Sequence, residues 1–225
     1  MRIEKALFMN ILITDITEMH AGNYCVAGWD INNRRLVRPL PGGANWTAGL
    51  LQRHGIVIGV TIRVMPSGQP AGEFPHTTED TPIDAREIVQ VAAGFGDWLG
   101  GSSPVPARTL SLAFGGHLQW NSEWDGIKQG VHVMAGAHCV SLVTLHGRKS
   151  GLQFRESFGK LKAIVHDGSE SYQLPVSSLH LKEAWRLGGV AAATRATPER
   201  AILNLRLGLA RPFPDKCYVM LNGVL

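Results

Sequence analysis

Apolar and polar positions alternate with a period of two along much of the chain. Residues 24–31 follow this pattern, which is typical of a pleated strand. The preceding residues 11–16 form a short, apolar and largely β-branched run that also favours a strand. Asn32 and Asn33 then predict a tight hairpin turn, because asparagine tolerates left-handed backbone. We expect the second hairpin arm to end at Pro39 or to lie on a sheet edge, since proline donates no ladder hydrogen bond.

The same reasoning extends along the rest of the chain. Further strands are predicted at 55–66, 132–147, 160–165, 172–176, 201–213 and 217–225. Asp167 and Gly168 mark the turn of a second hairpin. Helical segments are predicted at 48–53, 84–92 and 182–200, the last interrupted by Gly188 and Gly189. The pattern therefore predicts an all-β, β-rich fold with short helices.

Composition and length bound the domain organisation. The chain has 225 residues, which fits one large β domain or two small ones, and its 26 glycines and 12 prolines favour a turn-rich architecture. Residues 94–130 combine glycine, serine and proline with three of the six tryptophans. We therefore predict a first β-barrel at 1–93, a connecting segment at 94–130 and a second β-barrel at 131–225.

Two short stretches repeat each other weakly. Residues 36–40 read Leu-Val-Arg-Pro-Leu, and residues 209–213 read Leu-Ala-Arg-Pro-Phe. Each places an arginine and a proline at the end of an alternating strand. This repeat indicates two similar barrels.

Several segments carry a resemblance to a known family. They are ILITDITEM, CVAGWDINNRRLVRPL, PHTTED, KLKAIVHDGSESYQLPV and LNLRLGLARPFPDKCYVMLNGVL, which together span nearly the whole chain. In these segments the chain resembles the dual OB-containing domain family of prokaryotic conflict and defence systems. The resemblance implies two OB-like barrels packed in one unit and a nucleic-acid-binding role. It implies no established catalytic residue.

Charge and cysteine content narrow the function classes. The net charge of +4 and the pI of about 9.1 permit an anionic partner. The three cysteines lie far apart and form no Cys-x-x-Cys pair, which argues against disulfides and a zinc ribbon. Free cysteines favour a reducing cytoplasm. No apolar run approaches the roughly 20 residues that cross a bilayer, so we expect no membrane association.

The candidate nucleic-acid-binding residues are mostly arginines. Arg38 and Arg211 precede prolines at strand ends, where exposed guanidinium groups would bind phosphates through paired hydrogen bonds. The further candidates are Arg34, Arg35, Arg63 and Trp29. The alternatives are a charged strand edge for the arginines and a core position for the tryptophan.

The segment Pro75-His76-Thr77-Thr78-Glu79-Asp80 is the densest polar cluster. A histidine beside carboxylates can perform acid–base chemistry or hold a divalent metal, so His76, Glu79 and Asp80 are weak catalytic candidates. The alternative is a turn in which these residues cap local structure. The sequence has no phosphate loop and no dinucleotide fingerprint, and it predicts no metal and no cofactor.

Three functions follow, in order of preference. The first is a nucleic-acid- or nucleotide-binding module that supplies recognition within a larger prokaryotic system. The second is a nucleic-acid-processing enzyme that uses the His76, Glu79 and Asp80 cluster, although binding is favoured over catalysis. The third is a protein–protein adaptor that presents the tryptophan-rich segment 94–130 to a partner.

Overall fold

A computed structural model describes residues 8–91 and 106–225. The chain divides into two compact units, of which the first comprises 1–72 and 79–104 and the second comprises 73–78 and 105–225. Strands dominate both units, and each is built on curled sheets of OB-like form with few helices between the strands. The alternation of apolar and polar positions thus predicted the all-β class correctly.

The first unit begins with an antiparallel meander of three strands. Its elements are β1 (Met9–Glu18), β2 (Asn23–Asp30), β3 (Arg35–Pro41), β4 (Trp46–Thr47), helix α1 (Ala48–Arg53), β5 (Thr61–Val64), β6 (Asp80–Ile83) and β7 (Val89–Val91). The sheet order is β6-β3-β2-β1-β5-β7, with β4 paired to β2 and β6 parallel to β3. An antiparallel bridge between Pro66 and Ile83 links the β5 side to β6, so the sheet curls toward closure.

Local chemistry explains the hairpin and the helix of this unit. The Asp30 carboxylate accepts hydrogen bonds from the backbone N–H groups of Asn32 and Asn33 at 3.1 and 3.2 Å. The predicted turn at Asn32-Asn33 is confirmed, although Arg34 is the residue with positive φ (55°). Helix α1 begins where the Thr47 hydroxyl accepts a hydrogen bond from the Leu50 N–H, as expected for an N-cap.

Two sequence expectations differ from the structure of this unit. The expectation of a strand end at Pro39 is wrong, because Arg35–Val37 pairs with β2 whereas Arg38–Pro41 pairs with β6. At Pro39 the described ladders give β3 a partner on one side, as the alternative of an edge position requires. The change of partner lets proline lie within the strand without costing β2 a hydrogen bond. The helix expected at 84–92 is also absent over its described part. The Asp84 carboxylate instead accepts from the Arg86 N–H at 2.8 Å, and Val89–Val91 forms β7.

The second unit contains the larger set of strands. Its elements are helix α2 (Leu110–Ala113), β8 (Ser122–Trp124), β9 (Ile127–Gln129), β10 (His132–Met134), β11 (Leu142–Arg148), β12 (Leu152–Ser157), β13 (Lys160–His166), β14 (Ser171–Pro175), helix α3 (Leu179–Arg195), β15 (Ile202–Leu209) and β16 (Lys216–Val224). They form a sheet in the order β10-β16-β15-β11 and a sheet in the order β12-β13-β14-β9-β8. A short 3-10 turn, Lys149–Gly151, joins β11 to β12, and a parallel bridge joins Val176 to Leu221 of β16.

The two units share one order of connections. In each, three antiparallel strands are followed by a helix, and a fourth strand then pairs with the first. In the second unit this first strand is β11 and β12 taken together, joined by the 3-10 turn. A fifth strand runs parallel to the third or its extension. This is the Greek-key order of a small five-stranded barrel. The repeat exists at the level of topology, yet the Arg-Pro pairs are not equivalent. Arg38 lies in the third strand of its unit, whereas Arg211 follows the fourth.

The segment predicted as a connection, 94–130, is described from residue 106 onward. That described part belongs to the second unit, where β9 pairs in parallel with β14, so β8 and β9 extend the sheet. Trp98 lies outside the described residues. The predicted break in the long helix is confirmed, because Gly188 and Gly189 have non-helical backbone inside α3. No helix in the described ranges is both long and apolar enough to cross a membrane.

Candidate nucleic-acid interface

Arg38, the leading sequence candidate, is buried. Only 4% of it is exposed, and its guanidinium lies 2.5 Å from the Asp80 carboxylate. Both residues belong to the first unit, where they face each other across the parallel β3–β6 ladder. Arg38 therefore does not present the exposed guanidinium that a phosphate contact requires. Its contact with Asp80 compensates a charge that would otherwise be costly to bury.

The other candidates divide between core and surface. Trp29 is 3% exposed and fills the core of the first unit, which is the alternative that the sequence left open. Arg34, Arg35 and Arg63 are exposed, and Arg63 donates to the Asn10 side chain at 3.4 Å. Arg211 is exposed in the loop that follows β15. The first unit thus keeps three surface cations near the β2–β3 turn and the β1–β5 pair.

The His76, Glu79 and Asp80 cluster is divided between the units. His76 belongs to the second unit, where its buried Nε2 donates to the Leu209 carbonyl at 3.1 Å. Glu79 and Asp80 belong to the first unit and are also buried. Neither unit by itself holds the histidine together with the carboxylates. Within 8–91 and 106–225, no three His, Cys, Asp or Glu side chains group as metal ligands.

A different surface emerges on the second unit, on the sheet that contains β12, β13 and β14. Alternate residues of these strands point inward and are buried, among them Phe154, Ala163 and Leu174. The intervening residues point to the opposite side, as the period of two requires. Together with paired residues of β8 and β9 they form what we call the outer face: Ser122, Trp124, Ile127, Gln129, Gln153, Arg155, Ser157, Lys160, Lys162, Ile164, His166, Ser171, Gln173 and Pro175.

The strand register arranges the outer face in rows. Arg155 lies opposite Lys162, which makes a cationic row. The next row is rich in side-chain amides and runs through Gln153, Ile164, Gln173 and Gln129. The last row runs through His166, Ser171, Ile127 and Trp124. None of the outer-face residues is acidic, so the face combines positive charge with hydrogen-bonding groups and one large aromatic ring.

Two features of the outer face favour an anionic, hydrogen-bonding ligand. Partial burial and the neighbouring Lys160 charge together lower the pKa of Lys162, and a nearby anion would raise that pKa again because it favours the charged ammonium. The Arg155 Nε and the Gln173 Oε1 are buried atoms without a hydrogen-bond partner in the described chain. Such an atom costs about 1–3 kcal/mol when it stays unsatisfied. Because both atoms are buried, a ligand on this face pairs with them only if the Arg155 and Gln173 side chains turn outward.

Phe158 stands at the end of the outer face, at the tip of the β12–β13 hairpin. Phe158 and Gly159 have φ of 52° and 64°, the two positive values of a type I′ turn. A bulky residue is rare at positive φ, and such strain occurs preferentially at functional sites. The side chain is 99% exposed and therefore does no packing that would explain it. Trp124, in the row at the opposite end, is 76% exposed.

A cleft of about 800 Å³ adjoins the His166 end of the face. Its polar lining includes His146, Arg148, Ser150, Gln153, His166 and Ser171. Gln153, His166 and Ser171 also belong to the outer face, so cleft and face are continuous. The His166 Nδ1 and the Ser171 hydroxyl lie 3.2 Å apart, within hydrogen-bonding distance.

Asp167 also borders the cleft, but its carboxylate has a structural role. Its oxygens accept from the N–H groups of Ser169, Glu170 and Leu110 at 2.8–3.0 Å and from the Ser169 hydroxyl at 2.7 Å. Burial opposes ionisation of this carboxyl, yet these hydrogen bonds outweigh it and hold its pKa below the ordinary aspartate value. Asp167 thus fixes the β13–β14 turn and the start of α2.

No protein-family model, curated protein or solved structure matches the chain. The resemblance to the dual OB-containing domain family therefore stays a prediction. A function must consequently be inferred from the geometry of the outer face.

The outer face was not predicted from the sequence, because its residues are dispersed along the chain. Arg155, Lys162 and Gln173 become neighbours only through the register of three strands. One signal was available in the sequence, namely the alternation Lys160, Lys162, Ile164, His166 directly after Phe158-Gly159. An aromatic residue before glycine at a hairpin tip, where asparagine or aspartate is usual, would have drawn attention to this strand.

Proposed function

We propose that the second unit binds single-stranded nucleic acid across its outer face. The observation that carries this proposal is a sheet face with three basic residues, three side-chain amides and no carboxylate, which lies between exposed aromatic rings at Phe158 and Trp124. In this arrangement Arg155, Lys160 and Lys162 contact phosphates, and the rings stack on bases.

The dimensions and charge of the unit support the same function. The outward positions of β13 run from Lys160 to His166, a length of about 20 Å at roughly 3.3 Å per residue. OB-type barrels bind as few as about four nucleotides, and a face of this length is compatible with such a site. Lysines and arginines outnumber acidic residues in the second unit, whereas the two kinds are nearly balanced in the first.

A single strand suits this face better than a duplex. Stacking on Phe158 or Trp124 requires a base whose ring face is free, and duplex bases are covered by their neighbours. The glutamine side chains can donate and accept at base edges. In line with the family resemblance, such a module would supply recognition within a larger prokaryotic system.

Fluorescence anisotropy with labelled single-stranded and duplex DNA and RNA at several salt concentrations tests the proposal. The double variant Lys160→Ala, Lys162→Ala should bind single strands more weakly. Its log–log salt slope should be flatter by about 0.7 for each phosphate that the variant no longer neutralises. The matched control is Arg34→Ala, Arg35→Ala, which removes two exposed cations from the first unit and should bind like the parent.

Two results would overturn the proposal. One is the absence of binding to any single strand at low salt, where electrostatic attraction is strongest. The other is a reversed pattern, in which the first-unit variant loses affinity and the Lys160→Ala, Lys162→Ala protein keeps it.

A further inference from the structure

The cleft beside the outer face has walls on several sides. His146 and Arg148 come from the end of β11, Ser150 and Gly151 from the 3-10 turn, His166 and Ser171 from the β13–β14 hairpin, and Ile202 from the start of β15. A single-stranded nucleic acid that follows the outer face past the row containing His166 and Ser171 therefore arrives at a pocket bounded by four segments of the protein chain.

The polar lining of this cleft is matched to an anion. Arg148 is exposed at the end of β11 and supplies a guanidinium. The imidazoles of His146 and His166 and the hydroxyls of Ser150 and Ser171 add hydrogen-bond donors. The adjacent Lys149 does not line the cleft, and its ammonium pairs with Glu199 at 2.6 Å. Arg148 is thus the basic residue that the cleft offers to a phosphate.

The acidic residue of the lining does not present a free carboxylate. Asp167 is buried, and both its oxygens accept hydrogen bonds from its own turn and from the start of α2. Its position is fixed by these contacts rather than by anything in the cleft. Ile164 and Ile202 provide apolar surface in the same lining.

The size of the cleft distinguishes between ligands. Pockets for small molecules have volumes of roughly 300–1,000 Å³, and the volume of about 800 Å³ is much more than one phosphate group occupies. A nucleotide has the required composition, with an anion for Arg148 and an apolar ring for the isoleucine walls.

We propose that the cleft holds the phosphorylated terminal nucleotide of the strand bound on the outer face. Its phosphate lies against Arg148, His146 and His166, and its base packs against Ile164 and Ile202. This inference rests on the proposed function and adds to it a preference for strand ends. A free nucleoside monophosphate has the same chemistry, so the test must separate the two sources.

The experiment compares one oligonucleotide sequence with a 5′-phosphate, a 3′-phosphate or hydroxyls at both ends, by anisotropy on the full chain. One phosphorylated end should bind about tenfold more tightly than the hydroxyl form, the effect of one charge-assisted contact. Arg148→Ala should abolish that preference while the hydroxyl form binds nearly as before. The matched control Arg53→Ala, at an exposed arginine of α1 in the first unit, should retain it.

The outcomes separate this inference from the proposed function. Loss of binding to every oligonucleotide defeats the proposed function and this inference with it. Equal binding of all three ends defeats only the inference. If adenosine monophosphate binds in an Arg148-dependent manner while the oligonucleotides show no end preference, the cleft is a site for free nucleotides and the assignment to strand ends is wrong.

Discussion

A substitution at Phe158 is expected to raise the stability of the protein and to lower its affinity for a single strand. In the type I′ turn of the β12–β13 hairpin the φ of Phe158 is 52°, where asparagine is favoured and a bulky residue is strained. The change Phe158→Asn relieves this strain and sacrifices no burial, because the side chain is 99% exposed. Left-handed backbone costs a typical residue about 1–2 kcal/mol, of which we expect asparagine to recover about 1 kcal/mol. For a chain of this size that raises Tm by about 2–4 °C.

The same change should weaken binding. A base stacked on an aromatic ring contributes about 1–3 kcal/mol, and its loss corresponds to an affinity decrease of roughly five- to 150-fold. The assay measures Tm by calorimetry and the Kd for a single-stranded oligonucleotide by anisotropy, both on one preparation. Phe158→Tyr is the matched control, since it keeps the ring and the strain and should resemble the parent in both measurements.

Either of two results would refute this reasoning. If Phe158→Asn lowers Tm, the exposed ring contributes to folding and the turn is not strained. If Tm rises but the Kd is unchanged, Phe158 stacks on no base, and the outer face binds by charge and hydrogen bonding alone.

The remaining predictions concern buried charges. Arg38→Ala leaves the buried Asp80 without its arginine and should lower the free energy of unfolding in urea by about 3–5 kcal/mol. Arg211→Ala, at an exposed position, should change it by less than about 0.5 kcal/mol. Equal effects of the two substitutions would contradict a buried ion pair between Arg38 and Asp80. Asp167→Asn should lower the free energy of unfolding by about 2 kcal/mol at neutral pH, because hydrogen bonds to a charged acceptor weaken. Since the pKa of Asp167 is depressed in the folded state, the parent has this stabilisation above about pH 4 and loses it as pH falls further. The Tm difference between the two proteins should therefore shrink between pH 4 and pH 2, and a constant difference would argue against the assignment.

Local chemistry made several elements predictable. The β2–β3 turn and the break inside α3 lie where the sequence placed them. The paired glycines act through their own backbone preferences, whereas the turn is held by the Asp30 carboxylate and has its positive φ at Arg34. Helix α1 was likewise predicted with its observed bounds. In each case the determining residues are neighbours in sequence.

Elements that depend on distant partners were not predictable in this way. The burial of Arg38 follows from Asp80, 42 positions later, which no local pattern reveals. Pro39 continues β3 only because β6 takes over the pairing from β2. The outer face likewise requires the register of β12, β13 and β14, so its cationic and amide rows could not be read from spacing along one strand.

Photochemical cross-linking tests the central claim most directly. A single strand that carries 4-thiouridine at successive positions is irradiated in complex with the full chain, and the attached residues are identified by mass spectrometry. We predict cross-links at Phe158, at outward residues of β13 and at Trp124, and competition by unlabelled single strand but not by duplex. Cross-links confined to the first unit around Arg34 and Arg35, or none that a single strand competes away, would contradict binding at the outer face.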